Sequence, residues 1–285
     1  THDYHELIDA HYAEDITAMV LRDRNHPSVI CWSIGNEVIE RKEIKVVQTA
    51  RKMKKVILDL DKTRPVTEAL CSWDSDWEIF DPHAEVLDIV GYNYMMHKAQ
   101  SDHERCPERV MWQTESYPRE AFKNWQNTSR NSFIIGDIVW TAIDYLGESQ
   151  GWPAKGWMQG VFDIALEPKP KAYYMKSFFM DEPLVHIAIT DTKGDQMWNG
   201  VQTGNDGQSD HWNRKAGDRL EVTTYTNADE VELLVNGKSL GVKKNDKGNA
   251  KMRNQIRWSD VPYADGHIVA IARTEGKEVA RHRLE

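Results

Sequence analysis

Four apolar runs in the first half of this 285-residue chain each finish on an acid or a phenol. They are "VICWSIGNE" (29–37), "VLDIVGYNY" (86–94), "RVMWQTE" (109–115) and "FIIGDIVWTAID" (133–144). Runs this continuous read as strands buried on both faces, the pattern of a parallel sheet covered by helices. The helices are legible between them. Leu7, Ile8, Tyr12, Ile16, Met19 and Val20 recur at helical spacing over 4–24, where Asn25-His26-Pro27 stops the pattern. A second helix is predicted from about Lys42 to Leu60, followed by the short apolar segment "RPVTEAL" (64–70). In parallel β/α folds the reactive groups gather at the carboxyl ends of the strands. Asn36-Glu37, Asn93-Tyr94, Thr114-Glu115 and Asp144 are therefore expected on one face.

Near residue 183 the grammar changes. "RLEVTTYTN", "EVELLVNGKSLG" and "GHIVAIARTEGKEVARHRLE" are short alternating strands punctuated by Asn-Gly, Asp-Gly and Glu-Gly, which is the pattern of hairpins. About a hundred such residues predict a β-sandwich. The expected organisation is an α/β domain over 1–182 and an all-β domain over 183–285.

Charge follows the same division. The net charge is −9, with 21 basic against 30 acidic residues over 1–182 and 15 against 15 beyond. That balance argues against a nucleic-acid partner, which needs clustered Lys and Arg. No stretch approaches the roughly 18–20 apolar residues of a membrane-spanning helix. Cys31, Cys71 and Cys106 form neither a disulfide framework nor a zinc pattern. His2, His5 and His11 match no metal spacing and are expected on a solvated helix face. Eight of the eleven tryptophans precede residue 183 and suit either sugar platforms or core filling.

Glu37 and Glu115 are the residues that ask for chemistry. A carboxylate ending a buried strand is costly unless paired, hydrogen-bonded or functional. Two that converge raise one another's proton affinity, so one stays protonated while the other is ionised. Glycoside hydrolysis uses that division of labour. Glu68, within "RPVTEAL", is expected to pair with a Lys or Arg of the sheet.

"RNHPSVICWSIGNE" (24–37) closely resembles the acid/base signature of glycoside hydrolase family 2, with Asn25-His26-Pro27-Ser28, Trp32, Gly35, Asn36 and Glu37 in register. The resemblance implies the later part, about strands 4–8, of a (β/α)8 TIM barrel followed by an immunoglobulin-like sandwich. It implies Glu37 as general acid/base, Asn36 as ligand of the sugar 2-hydroxyl, and Gly35 as the space beside the sugar. "WQTES" (112–116) resembles the nucleophile strand, making Glu115 the attacking carboxylate, 78 residues after Glu37. "GYNY" (91–94) resembles strand six, with Tyr94 rather than Tyr92 steadying the nucleophile. "GDIVWTAIDYLGE" (136–148) resembles strand eight, with Trp140 as a sugar platform and Asp144 and Glu148 as candidate ligands of substrate hydroxyls.

The family retains anomeric configuration, so the carboxyls are expected roughly 5 Å apart. The implied substrate is a terminal β-galactoside. β-Glucuronidase and β-mannosidase are the alternatives within the family. The first is weakened because the Asn-x-Lys element that reads a uronate carboxylate is not visible in the segment following Trp140, residues 141–182. A non-catalytic glycan-binding scaffold is the alternative of another class, and the intact glutamate pair argues against it. The second domain is expected to support the barrel. No cofactor is implied, and a divalent cation used by some relatives has no ligands assignable here. The chain has no initiating Met, and the resemblance implies earlier sandwich and barrel segments as partners. Alone, the 285-residue polypeptide is then expected to be inactive or nearly so. A periplasmic or secreted bacterial enzyme is the expected setting.

Overall fold

In the computed structural model of the chain, residues 6–38, 40, 42–72, 75–148, 156–192, 197–198, 201–202 and 207–285 are described. They fall into two compact units, one running to Ser116 and resuming over Asn124–Ile138, the other taking Tyr117–Lys123 and Val139–Glu285.

Strands and helices alternate through the first unit. In order they are α1 (Ile8–Asp23), β1 (Trp32–Asn36), α2 (Ile44–Leu60), β2 (Val66–Leu70), α3 (Asp81–Ala84), β3 (Ile89–Asn93), α4 (Ala99–Arg105), β4 (Met111–Ser116), α5 (Ala121–Arg130) and β5 (Ile134–Val139). The strands neighbour one another in the order β1-β2-β3-β4-β5, and the pairings from β1 through β4 are parallel. β1 starts later than the apolar run suggests. Arg64 Nε donates to Val29 O at 2.6 Å, and the Trp32 N–H is the first to reach the next strand, donating to Pro65 O at 3.0 Å. The ladder therefore begins only where its partner arrives, and it continues past Ile34 through Asn36.

Burial holds the helices on the sheet. Ile16 and Val20 of α1, Met53 and Ile57 of α2, and Trp32 and Val66 of the strands form one apolar cluster. Val20, Ile57 and Val66 have no exposed surface, and each such side chain contributes roughly 1.5–3 kcal/mol. The Trp32 indole donates to Asp61 Oδ2 at 3.0 Å. Asp61 also accepts from Thr63 and Arg64, and these bonds, Thr63 foremost, hold its carboxyl well below the usual range.

A second anchor lies under β3. Asp102 is 1% exposed and accepts from the Tyr92 phenol at 2.7 Å, from the Trp77 indole at 2.7 Å and from Arg105 at 2.7 Å. Arg109 completes the set, 3.3 Å from Asp102 and 2.8 Å from Asp81. Burial, then the Asp102 charge, pushes the Tyr92 phenol far above its ordinary pKa.

The second unit opens with a short hairpin, β6 (Tyr145–Leu146) and β7 (Gly156–Trp157), and helix α6 (Pro170–Phe179). Then follow β8 (Val185–Thr192), β9 (Met197–Trp198), β10 (Val201–Gln202), β11 (Gly207–Ser209), β12 (Arg219–Thr226), β13 (Glu230–Val235), β14 (Lys238–Lys244), β15 (Gln255–Pro262), β16 (Ile268–Thr274) and β17 (Lys277–Leu284). Two four-stranded antiparallel sheets result, β11-β8-β12-β15 and β14-β13-β16-β17. Their shared core includes Ile187, Ile189, Val231, Leu233, Trp258 and Ile268. The hairpin signals in the sequence are real turns: Asn236-Gly237 and Glu275-Gly276 all have positive φ, as tight hairpin turns of this hand require. Trp212 is a core residue rather than a surface aromatic, with its indole donating to Ala264 O at 3.0 Å. By compactness the segment from Val139 through α6 groups with the sandwich. Tyr174 lies 5.3 Å from Tyr225, and Asn254 donates to Ser177 O at 3.0 Å. The second Asn of that joint, Asn245, donates to Asn254 Oδ1 at 3.1 Å and accepts from the Asn254 N–H at 2.9 Å.

His186 on β8 is a buried titratable group of this unit. Its ring stacks on Tyr173 at 3.6 Å, lies 4.4 Å from His282 and stands 3.7 Å from Asp210. Burial, with the neighbouring His282, pulls its pKa from 6.5 down to about 3. The folded state thus favours the neutral ring, and its stability is complete above 6.5 and lost as pH falls toward 3. His186→Phe is expected to recover about 2–3 kcal/mol of the acid destabilisation near pH ~4.5 relative to neutral pH. Thermal melts at the two pH values check this, and an unchanged acid loss in the variant rejects it.

Candidate active site

Two register irregularities of the parallel sheet sit immediately beside the candidate chemistry. β1 carries one more residue than β2 between the pairs Ser33↔Thr67 and Asn36↔Ala69. β4 carries one more than β3 between Tyr92↔Gln113 and Asn93↔Glu115. An extra residue re-aims the side chains that follow it. Glu37 and Tyr94 then turn into the left-handed region, with φ of 48° and 59°, at a cost of roughly 1–2 kcal/mol each. Their N–H groups are secured on the neighbouring strands, Glu37 to Ala69 O and Tyr94 to Glu115 O, both at 2.9 Å.

The side chains converge on Asn93, which has no exposed surface. Its Nδ2 donates to Asn36 Oδ1 at 2.9 Å and to Glu37 Oε1 at 3.0 Å. Its Oδ1 accepts from Thr114 Oγ1 at 2.6 Å. Glu115 belongs to the same group. Burial raises its pKa above 4.5, opposed by a hydrogen bond from Tyr94, reinforced by the charge of Glu37, and opposed again by bonds from Asn93 and Asn36. Asn36, Glu37, Tyr94 and Glu115, drawn from three strands, are thus brought together. Tyr92 is not among them, since its phenol is held by Asp102. Asn93 was legible only as one of several strand-end polar residues. Its position as the shared partner depends on the β3–β4 irregularity, which leaves no mark in the sequence.

Other expectations are corrected. Gly35 makes room for Glu68: a Cβ there would lie 3.1 Å from the Glu68 carboxyl carbon. Among the described residues Glu68 pairs with His83 rather than with a Lys or Arg. It is 3% exposed, and its Oε2 lies 2.9 Å from His83 Nε2 beneath α3. Of the early tryptophans, Trp32, Trp77, Trp112 and Trp157 are buried in the core, while Trp73 and Trp152 lie outside the described residues, as do His2 and His5.

Trp140, Asp144 and Glu148 belong to the second unit. Trp140 is 40% exposed, with Tyr145 edge-on to its ring at 6.0 Å. Asp144 is committed to the scaffold: it is buried, ion-paired to Lys169 at 2.5 Å and accepting from the Gly160 N–H at 2.8 Å. Glu148 is exposed and accepts from the Tyr145 phenol. Among the described residues, no group of three or more His, Cys, Asp or Glu side chains is arranged to hold a metal.

Paired carboxylates, with an amide and a phenol beside them at the carboxyl ends of parallel strands, define a glycoside-hydrolase type of site. The family model for glycosyl hydrolases family 2, TIM barrel domain, matches residues 3–154, more than half of the chain. The chain therefore belongs to glycoside hydrolase family 2, and its fold is the C-terminal part of that TIM barrel followed by a β-sandwich. A domain of unknown function (DUF4982) matches residues 217–280 within the sandwich. The chain is similar to the β-galactosidase BoGH2A of Bacteroides ovatus, 29% identical over 99% of this chain and 39% of that protein. A putative β-glucuronidase of Formosa agariphila is 26% identical over 97% of this chain and 29% of its own length. A crystal structure of a family 2 member from Bacteroides cellulosilyticus superposes with a TM-score of 0.89 and 34% identity, covering the whole chain and 38% of that structure. The chain thus spans about two fifths or less of the length of these relatives.

Gly35→Ala tests the corrected role of Gly35. Glu68 is buried and bound to His83, so it cannot swing aside, and overpacking is expected to cost about 1–3 kcal/mol. Denaturant titration measures this. In Glu68→Gln/Gly35→Ala the penalty is expected to persist, because the crowding is steric rather than electrostatic.

Proposed function

We propose that this chain supplies the acid/base and nucleophile strands of a retaining exo-β-glycosidase that removes terminal β-galactosyl residues. It acts in concert with the barrel strands and sandwich domain that accompany this segment in its longer relatives. The observation that carries the reading is that the buried Asn93 amide donates to Glu37 while its register partner Glu115 lies close enough to feel the Glu37 charge. Carboxyls brought this near one another suit the separation of roughly 5 Å used for retention better than the roughly 6.5–9.5 Å that leaves room for an attacking water.

In the first half of the reaction the Glu115 carboxylate attacks the anomeric carbon while Glu37 gives its proton to the departing oxygen. Glu37, now ionised, then takes a proton from water, which attacks the anomeric carbon and releases Glu115. Glu115 must be ionised to attack, and burial works against that. The Tyr94 phenol, with Asn36 and Asn93, keeps the charged form accessible. Trp140 is the proposed sugar platform.

A β-glucuronidase is the second reading, supported by the similarity to the Formosa protein. That no Asn-x-Lys element occurs in the segment following Trp140, residues 141–182, favours the galactoside. A panel of nitrophenyl glycosides assayed on the whole protein separates the two. Glu115→Ala is expected to lower turnover on the order of a thousandfold or more while sugar affinity survives; a glycan-binding scaffold would show no turnover to lose. Tyr94→Phe removes a bond that favours ionised Glu115, so the acid limb of kcat/KM, already above pH ~4.5, should move to higher pH. An acid limb that stays in place would remove Tyr94 from this role.

A further inference from the structure

Glu37 has two carboxyl oxygens, and general-acid catalysis needs the proton on the one facing the leaving group. A carboxyl free to rotate or to shift its proton between oxygens spends much of its time in unproductive states. Asn93 settles the matter by hydrogen-bond valence. Its Nδ2 has two hydrogens, and the two strand-end acceptors Asn36 Oδ1 and Glu37 Oε1 lie 2.9 and 3.0 Å away. An oxygen that already accepts an N–H from this direction cannot point its own O–H back at the same nitrogen.

The orientation of the Asn93 amide is itself fixed. Thr114 Oγ1 donates to Asn93 Oδ1 at 2.6 Å. A flipped amide would place its NH2 on Thr114 and set its carbonyl against two acceptor oxygens, Asn36 Oδ1 and Glu37 Oε1. Complete burial of Asn93 removes water as a substitute partner. Asn36 is oriented by the same contact. With Oδ1 taken by Asn93, its NH2 remains to donate to Glu115 or to a sugar hydroxyl.

We propose that Asn93 is the positioning residue of this site: its buried amide, locked by Thr114, reserves Oε1 of Glu37 as an acceptor so that the transferable proton is carried on Oε2, and at the same time turns the NH2 of Asn36 toward the nucleophile. The inference rests on the reading of Glu37 as acid/base. Asn93 touches neither the leaving oxygen nor the transferred proton in this scheme and acts through Glu37 and Asn36.

The test follows the two carboxyls directly. Glutamate labelled with ¹³C at the side-chain carboxyl is incorporated into this chain, and Glu37 and Glu115 are assigned by single substitution to Gln and titrated by NMR. Asn93→Leu removes the donor that favours the charged carboxylate, so the Glu37 midpoint is expected to rise by about one pH unit or more. Thr114→Val, which unlocks the amide, is expected to shift it in the same direction by less, and Thr114→Ser to restore the original value. Melting curves identify variants that have lost the fold, and for those the Thr114 pair alone carries the test. A Glu37 midpoint unmoved in folded Asn93→Leu, or unmoved in Thr114→Val where only that pair is folded, overturns the proposal. The same variants in the whole protein distinguish the two levels of inference. Shifted titrations without glycosidase activity sink the proposed function and leave the positioning role standing. Glycosidase activity with unmoved titrations does the reverse.

Discussion

The carboxyl end of the parallel sheet is arranged by how strand β3 is held, and β3 is held from behind by the Asp102 carboxylate. Asp102 collects the Tyr92 phenol, the Trp77 indole and two arginines in a buried site. A carboxylate removed from water is tolerated only when its lone pairs are satisfied in this way. The consequence is geometric. With Tyr92 tied to the helical side, the next residues, Asn93 and Tyr94, turn to the carboxyl ends of β1 and β4. The anchor and the site are thus consecutive residues of one strand, facing opposite ways.

Beyond that anchor, the site is built by departures from regularity. A strict parallel ladder would place Asn93 opposite Thr114, and the extra residue in β4 places it opposite Glu115 instead. The extra residue in β1 does the same service for Asn36 and Glu37. The left-handed backbone at Glu37 and Tyr94 is held by cross-strand hydrogen bonds, so local strain is supported by the rigid sheet below it. The buried Glu68–His83 pair occupies the space that Gly35 leaves open. The smallest residue of the signature therefore serves packing between β1 and β2.

Polar groups in the two units meet burial differently. In the first, the buried Asn93 amide donates to Glu37, and burial raises the proton affinity of Glu115 against the hydrogen bond from Tyr94. In the second, Asp144 is spent on Lys169, and the Asn245–Asn254 pair ties loop carbonyls to α6. Similar side chains carry chemistry in one setting and structure in the other. What separates them is the number of lone pairs and hydrogens left over after folding.

Much of this was legible in the residues themselves. The apolar runs over 64–70 and 86–94 specify the buried strands β2 and β3, because alternation is lost when both faces are covered, whereas Ile30 in the run before β1 is 68% exposed. The Asn236-Gly237 and Glu275-Gly276 turns declare their hairpins because few residues accept positive φ. The register around Trp32, Gly35, Asn36 and Glu37 identified the family, and with it the residues proposed as acid/base and nucleophile. Tertiary structure decided the rest. Whether Glu68 meets Arg or His83, whether Asp144 is free or paired, and whether Gly35 serves ligand or neighbour depend on which side chains other strands and helices bring within about 3 Å, the reach of a hydrogen bond. Asn93 is the clearest case. Its residue type announced a polar strand end, but only the one-residue offset between β3 and β4 set it opposite Glu115 with its amide on Glu37 and Asn36, because register is a relation between strands and is written in neither one alone.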